Sequence, residues 1–197
     1  MIRSVLTLAL ALVAGPALAV TAGTAAPDFS VADSNGRTVK LSDYKGKFVV
    51  LEWTNPECPF VRAQYNAEAM QALQKEAGAK QVVWLTVNST SKSSDEYKSG
   101  AQMNAWMKEK GAAQNAILID ATSDAGRAYD AKTTPHMFVI DPAGKIVYAG
   151  AIDDKRSARE SDRKTANNYV RAALNETLAG KPVTVASTTP YGCSVKY

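Results

Sequence analysis

The chain has 197 residues, with 23 basic and 19 acidic side chains, a formal charge of +4, two cysteines and a single histidine. That length suits one domain able to bury a substantial core without staples. The basic residues are scattered with no stripe or block, which argues against a nucleic-acid footprint, and Cys58 with Cys193 allows one bridge at most.

Residues 1–19 start with Met1-Ile2-Arg3, pass through an apolar run from Val5 to Val13 and close on Ala17-Leu18-Ala19, the small-x-small form that signal peptidases cut. The run is shorter than the roughly 20 apolar residues a membrane span needs, and Gly15 and Pro16 interrupt it. The expectation is a removed export signal and a soluble mature chain, periplasmic or secreted, without stable membrane association. Export would place both cysteines where disulfides form and persist. A short linker over residues 20–26 then leads into one domain over 27–181, and residues 182–197 form a tail carrying Cys193.

Phe29 to Asp33 and Arg37 to Leu41 flank Ser34-Asn35-Gly36, where Asn-Gly supplies the positive backbone angles of a tight hairpin. Lys47 to Trp53 is a nearly continuous apolar run of strand length, as expected of a central strand covered on both faces. From Pro59 to about Ala77 apolar residues recur at helical spacing with Gly78 as the stop. Gln81 to Val87 reads as the next strand. Asn88 to Gly100 reads as a loop, Ala101 to Lys110 as a helix, Ala116 to Ile119 as a short strand and Asp124 to Tyr129 as a small helix. Met137 to Ile140 and Lys145 to Tyr148 are joined through Asp141-Pro142-Ala143-Gly144 as a hairpin. Asp153 to Lys164 mixes both charge signs and reads as a solvated loop or frayed helix start. Tyr169 to Leu178 is an amphipathic helix closed by Gly180 and Pro182, after which the tail looks mobile. Strands alternating with helices predict an α/β layered sheet.

This order, together with Ala26-Pro27-Asp28-Phe29, Leu41-Ser42-Asp43-Tyr44-Lys45-Gly46-Lys47, a cysteine at a strand-to-helix turn and Thr134-Pro135 before a hairpin, resembles the alkyl hydroperoxide reductase/thiol-specific antioxidant (redoxin, peroxiredoxin-like) branch of the thioredoxin superfamily. The similarity spans nearly the whole mature chain and includes Asn55-Pro56-Glu57-Cys58-Pro59-Phe60-Val61-Arg62 and Gly192-Cys193-Ser194-Val195-Lys196-Tyr197. It implies a thioredoxin-like fold, a central mixed sheet flanked by helices, with an N-terminal β-hairpin extension. It also implies a cis-proline at Pro135 beside the active thiol, whose preceding backbone is offered to a partner's extended chain. Two departures stand out. Val61 occupies the second cysteine position of the Cys-x-x-Cys of thioredoxins, and Leu51 and Asn55 occupy the Pro and Thr positions of the peroxiredoxin Pro-x-x-x-Thr-x-x-Cys.

Cys58 is the candidate nucleophile. It sits at the start of a helix, where unpaired N–H groups and the helix dipole favour a thiolate, and Pro59 suits the first helical position. Arg62, one turn on, is placed to add positive charge, whereas Glu57 and Glu52 oppose ionisation if they point inward. Glu52 lies in an apolar strand. It is either a desolvated acid that shuttles a proton to Cys58, as buried acids do in thioredoxins, or an acid at a strand end reaching water. His136, the lone histidine, is a candidate acid/base or ligand, with an ordinary packed imidazole as the alternative. Trp53, Phe60 and Tyr65 are most simply core, with Phe60 also able to line the approach to the thiol.

Cys193 is the candidate resolving cysteine: if the tail folds back, it can convert a Cys58 sulfenic acid into a disulfide. The leading expectation is therefore a thiol-based oxidoreductase, either a peroxidase or a thiol–disulfide exchange protein. Its substrate would be a peroxide or a protein disulfide, its electron donor thioredoxin-like, and no cofactor is called for. One alternative is copper handling, since Cys58, His136 and Cys193 form a soft ligand set suited to Cu(I). Another is a redox-inert interaction module with one structural disulfide.

Overall fold

A computed structural model of the chain describes residues 20–197; the export signal expected over 1–19 lies outside the described residues. The first feature is a hairpin organised by Asp33, whose Oδ1 accepts the backbone N–H groups of Asn35 and Arg37 while Gly36 turns at φ +82°. It joins β1 (Ser30–Ala32) to β2 (Thr38–Lys40) antiparallel and runs into a 3-10 turn over Leu41–Tyr44.

The remaining elements follow as β3 (Val49–Trp53), α1 (Pro59–Asn66), α2 (Ala69–Ala79), β4 (Val83–Asn88), α3 (Gly100–Glu109), β5 (Ala116–Ile119), α4 (Asp124–Ala128), β6 (Thr133–Thr134), β7 (His136–Ile140), β8 (Ile146–Gly150), a 3-10 turn (Glu160–Thr165), α5 (Tyr169–Leu178) and β9 (Cys193–Ser194). The main sheet has the order β5-β4-β3-β7-β8. β3 pairs parallel with β4 and antiparallel with β7, which puts the apolar run of β3 at the centre with every residue buried. This is a thioredoxin-like α/β fold with an N-terminal hairpin.

Strand alternation divides the core into two faces. Val50, Trp84, Met137 and Val139 pack with Cys58, Val61 and Tyr65 of α1, with Met70 and Leu73 of α2, and with Val170 and Leu174 of α5. Val49, Leu51, Trp53, Leu85 and Phe138 pack on the other face against the hairpin residues Phe29 and Val31 and against Ala125 and Tyr129. Burying each such large apolar side chain contributes about 1.5–3 kcal/mol. Glu52 is the one charged residue of β3, and its position in the alternation assigns it to the first face, with Cys58.

Three expectations are corrected. The helix read as continuous from Pro59 to Ala77 is two helices, because Glu68 takes a left-handed conformation (φ 57°) between them, with Glu68 N–H and Gln71 Nε2 both donating to the Tyr65 carbonyl. Gly78 lies inside α2 and is not its stop. The mixed-charge stretch after β8 is not solvated throughout, since Asp153 and Arg163 form an ion pair with both side chains 2% exposed. The tail is not free either: residues 186–197 lie along the fold, with Thr188 N–H donating to Ala149 O, Val195 N–H to Lys132 O and Ser91 N–H to Lys196 O.

Candidate active site

Cys58 ends the turn after β3 and is the N-cap of α1, with extended backbone (φ −76°, ψ 121°) and Pro59 as the first helical residue. The turn is held by Cys58 N–H donating to Asn55 O, by Glu57 N–H donating to Asn55 Oδ1 at 2.8 Å, and by Asn55 Nδ2 donating to Glu96 at 2.6 Å. The thiol is 1% exposed and donates to the carbonyl of Thr134 at 3.0 Å. Thr134-Pro135 is a cis peptide. The segment before Pro135 therefore presents its backbone directly to the sulfur.

The tail pairs with that same segment. β9 pairs antiparallel with β6, with Cys193 opposite Thr134 and Ser194 opposite Thr133. Gly192, at φ +132°, lies so close to the Thr134 carbonyl that a Cβ there would overlap its oxygen. Cys193 consequently stands beside Cys58, and both are free thiols. The Cys193 thiol is pushed up to about 12, first by burial and then by its hydrogen bond with Cys58 and the charge of Cys58.

Glu52 is fully buried beneath this site. Its Oε1 accepts from Tyr65 Oη at 2.8 Å, and its Oε2 accepts from Trp84 Nε1 at 2.8 Å, Thr86 Oγ1 at 3.1 Å and Gln74 Nε2 at 3.3 Å. Desolvation raises its carboxyl to about 7, although all four hydrogen bonds pull the other way. Glu52 is thus a desolvated acid and not one reaching water; its hydrogen bonds go to these four side chains.

Arg62 points elsewhere. Its guanidinium donates to Pro56 O at 2.6 Å and pairs with Glu57, which also binds Lys98 Nζ at 2.7 Å. Those cations, Lys98 foremost, hold the Glu57 carboxyl below its ordinary value against the opposing effect of burial. His136 is buried on the far face of the sheet, its ring 4.5 Å from that of Phe138 and its Nδ1 accepting from Lys132 N–H at 3.3 Å. Burial lowers it to about 4, so it is neutral at pH 7. Cys58, His136 and Cys193 do not converge, and among the described residues no three His, Cys, Asp or Glu side chains are grouped to hold a metal ion. The soft-metal ligand set is corrected accordingly: strand parity sends His136 to the face opposite Cys58.

Several residues around the thiols went unread in the sequence. Tyr191 packs edge-on against Phe60 of α1 at 5.8 Å and donates to Asp153 Oδ1 at 2.5 Å. Tyr197 donates to Ala131 O at 2.6 Å, with Arg127 4.7 Å over its ring. A signal for this docking was present: Tyr191, Cys193, Val195 and Tyr197 alternate at the period of a strand. No described helix is long and apolar enough to cross a membrane.

A mixed sheet with a buried cysteine heading a helix and facing a cis-proline defines a redoxin of the thioredoxin superfamily. The chain belongs to the AhpC/TSA family, whose profile matches residues 22–149. It is 28% identical over 128 residues to the thiol-disulfide oxidoreductase ResA of Bacillus subtilis, an alignment covering 65% of this chain and 66%, just under two thirds, of that protein. An uncharacterized conserved protein from Geobacillus kaustophilus superposes with a TM-score of 0.78 at 29% identity, over 90% of this chain and 93% of its own. The thioredoxin domain of a thiol-disulfide oxidoreductase from Bacteroides vulgatus shares the fold at a TM-score of 0.53 and 21% identity, over 76% of this chain and 100% of that one.

Proposed function

We propose that this chain is an exported thiol–disulfide oxidoreductase in which Cys58 is the attacking thiol and Cys193 the resolving one. The observation that carries this reading is the docking of Cys193 opposite Thr134, beside Cys58, so that the dithiol missing from the local motif is rebuilt across the tail. The thiol-disulfide oxidoreductase activity of the Bacillus subtilis relative supports it, as does the export-type N-terminus.

In this scheme the Cys58 thiolate attacks one sulfur of a substrate disulfide, forming a mixed disulfide and releasing the other substrate sulfur as a thiolate. Cys193 gives its proton to the substrate thiolate released in the first step and attacks Cys58 Sγ, closing the Cys58–Cys193 bond and releasing the second substrate thiolate. The substrate gains two electrons, and the protein gives up two as its dithiol becomes a disulfide. A thioredoxin-like dithiol donor restores the reduced form by the reverse exchange. Cys193, pushed up to about 12 first by burial and then by its neighbour Cys58, stays protonated in the reduced protein, and the contribution of Cys58 changes once its sulfur is bonded to substrate.

A peroxide is the second substrate to consider, with Cys58 oxidised to a sulfenic acid, water released, and Cys193 condensing on the sulfenic sulfur with loss of a second water. Arg62 is committed to Glu57 and Pro56 O, and Leu51 and Asn55 replace the peroxide-site signature, so disulfide exchange is favoured. Stopped-flow mixing of the reduced protein with a protein disulfide and, separately, with hydrogen peroxide tests the choice. The expected result is faster reaction with the disulfide, abolished in Cys58→Ser; faster turnover of peroxide would replace this reading by the peroxidase one.

A further inference from the structure

The Asp153 carboxylate bonds to both segments that carry the dithiol, α1 and the tail. Its Oδ2 accepts from Gln64 Nε2 of α1, the helix that Cys58 heads, at 2.7 Å, and from Arg163 Nη1 at 2.7 Å. Its Oδ1 accepts from Tyr191 Oη, two residues before Cys193, and from Lys155 N–H at 2.9 Å. Arg163 Nη1 also donates to Tyr191 Oη at 3.0 Å, and its Nη2 is held by the carbonyls of Lys155 and Ser157 at 2.8 and 3.1 Å. A buried ion pair is an expensive way to build a core, because desolvation offsets most of the attraction. This one fixes where the tail crosses α1.

We propose that Asp153 and Arg163, acting through the Tyr191 hydroxyl, are positioning residues that hold Cys193 against Cys58 and so set how readily the Cys58–Cys193 disulfide closes. The inference rests on the dithiol reading above. Tyr191 is tied on three sides, to Asp153, to Arg163 and to the Phe60 ring, while Gly192 immediately after it lies against the Thr134 carbonyl. Cys193 then has no slack: only Gly192 separates it from its anchor at Tyr191. A tether of this kind raises the effective concentration of one thiol for the other without touching either sulfur.

Tyr191→Phe isolates the effect. The ring and its packing stay, Asp153 keeps Arg163, Gln64 and Lys155 N–H, and no buried charge is left alone. The measurement is the equilibrium of the protein dithiol with glutathione disulfide, in which one glutathione disulfide takes two electrons and two protons from the protein to give two glutathione thiols and the Cys58–Cys193 bond. The ratio gives the effective concentration of one thiol for the other. It is expected to fall at least about tenfold in Tyr191→Phe, the factor that corresponds to about 1.4 kcal/mol, since the hydroxyl's hydrogen bonds to two charged groups, Asp153 and Arg163, are both lost. Thermal melts of both redox forms accompany it. A tyrosine serving only the fold would lower the stability of oxidised and reduced protein equally and leave the ratio at the wild-type value, and that result overturns the inference. If the wild-type protein forms no Cys58–Cys193 disulfide in the glutathione buffer, the dithiol reading itself fails, which is a separate and recognisable outcome.

Discussion

Gly192→Val should undock the tail and uncover Cys58. The position needs φ +132° and has no room for a Cβ beside the Thr134 carbonyl. A branched side chain there meets both obstacles: a backbone region that L residues rarely adopt, costing about 1–3 kcal/mol, and a steric overlap with backbone that cannot swing away. The tail is held at separate points by Thr188, Tyr191, Val195 and Tyr197, so the strain falls locally on β9, between Tyr191 and Val195, and the rest of the domain keeps its core. Cys58, 1% exposed in the docked state, then reacts with a small alkylating reagent through an opening that is roughly tenfold to hundredfold more populated, since each 1.4 kcal/mol is a factor of ten. Alkylation followed by mass spectrometry under native conditions measures this. A Cys58 rate equal to wild type would mean that the tail does not cover the thiol. Gly192→Ala should give the same direction with a smaller change.

Glu52→Gln should alter how stability depends on pH. Burial raises the Glu52 carboxyl from 4.5 to about 7, so the folded protein holds its proton more tightly than the unfolded chain does. The stabilisation is fully present below pH 4.5 and is lost as pH rises to about 7. His136 works in the opposite sense: lowered from 6.5 to about 4 by burial, it costs stability as pH falls through that window, because the unfolded chain takes up the proton and the folded one does not. The two slopes oppose each other where the windows overlap. Wild-type stability should therefore be nearly flat there.

A glutamine fits the Glu52 site. Its oxygen can accept from Trp84, Thr86 and Gln74, and its amide can donate to the Tyr65 oxygen. Glu52→Gln then gains on wild type above pH 7 by on the order of 3 kcal/mol, about two and a half units at 1.36 kcal/mol each. On acidification the variant loses stability along the unmasked His136 slope. Urea midpoints across the pH series check both statements, and a difference between variant and wild type that does not change with pH would show that burial does not shift the Glu52 carboxyl from its unfolded value.

How much of this was readable from sequence differs by the kind of interaction involved. Elements marked by local chemistry were legible: Ala116–Ile119 and Tyr169–Leu178 have the boundaries their patterns imply, and Cys58 sits at the strand-to-helix turn its flanks describe. The break at Glu68 has no glycine or proline to announce it; its left-handed conformation is accompanied by contacts of Gln71, whose amide donates to Tyr65 O locally and to Lys110 O on the neighbouring helix end. Asp153 and Arg163 read as solvated because most mixed-charge stretches are, and only their burial together reveals the pair. The environment of Glu52 comes from four side chains on α1, α2 and β4, which a linear reading does not bring together. His136 follows the cis-proline in sequence yet faces away from Cys58, a matter of strand parity that adjacency in the chain obscures. The tail read as mobile on composition, although its alternating Tyr191, Cys193, Val195 and Tyr197 already had the form of a docked strand.

Whether Cys58 and Cys193 act as one dithiol is decided by giving the reduced protein one equivalent of a small disulfide and mapping its cysteines by mass spectrometry. Both thiols are expected to disappear together into a Cys58–Cys193 bond within a single chain, and Cys193→Ser is expected to stall as a mixed disulfide on Cys58. A stable mixed disulfide on Cys58 of the wild-type protein, with Cys193 still free, would contradict it.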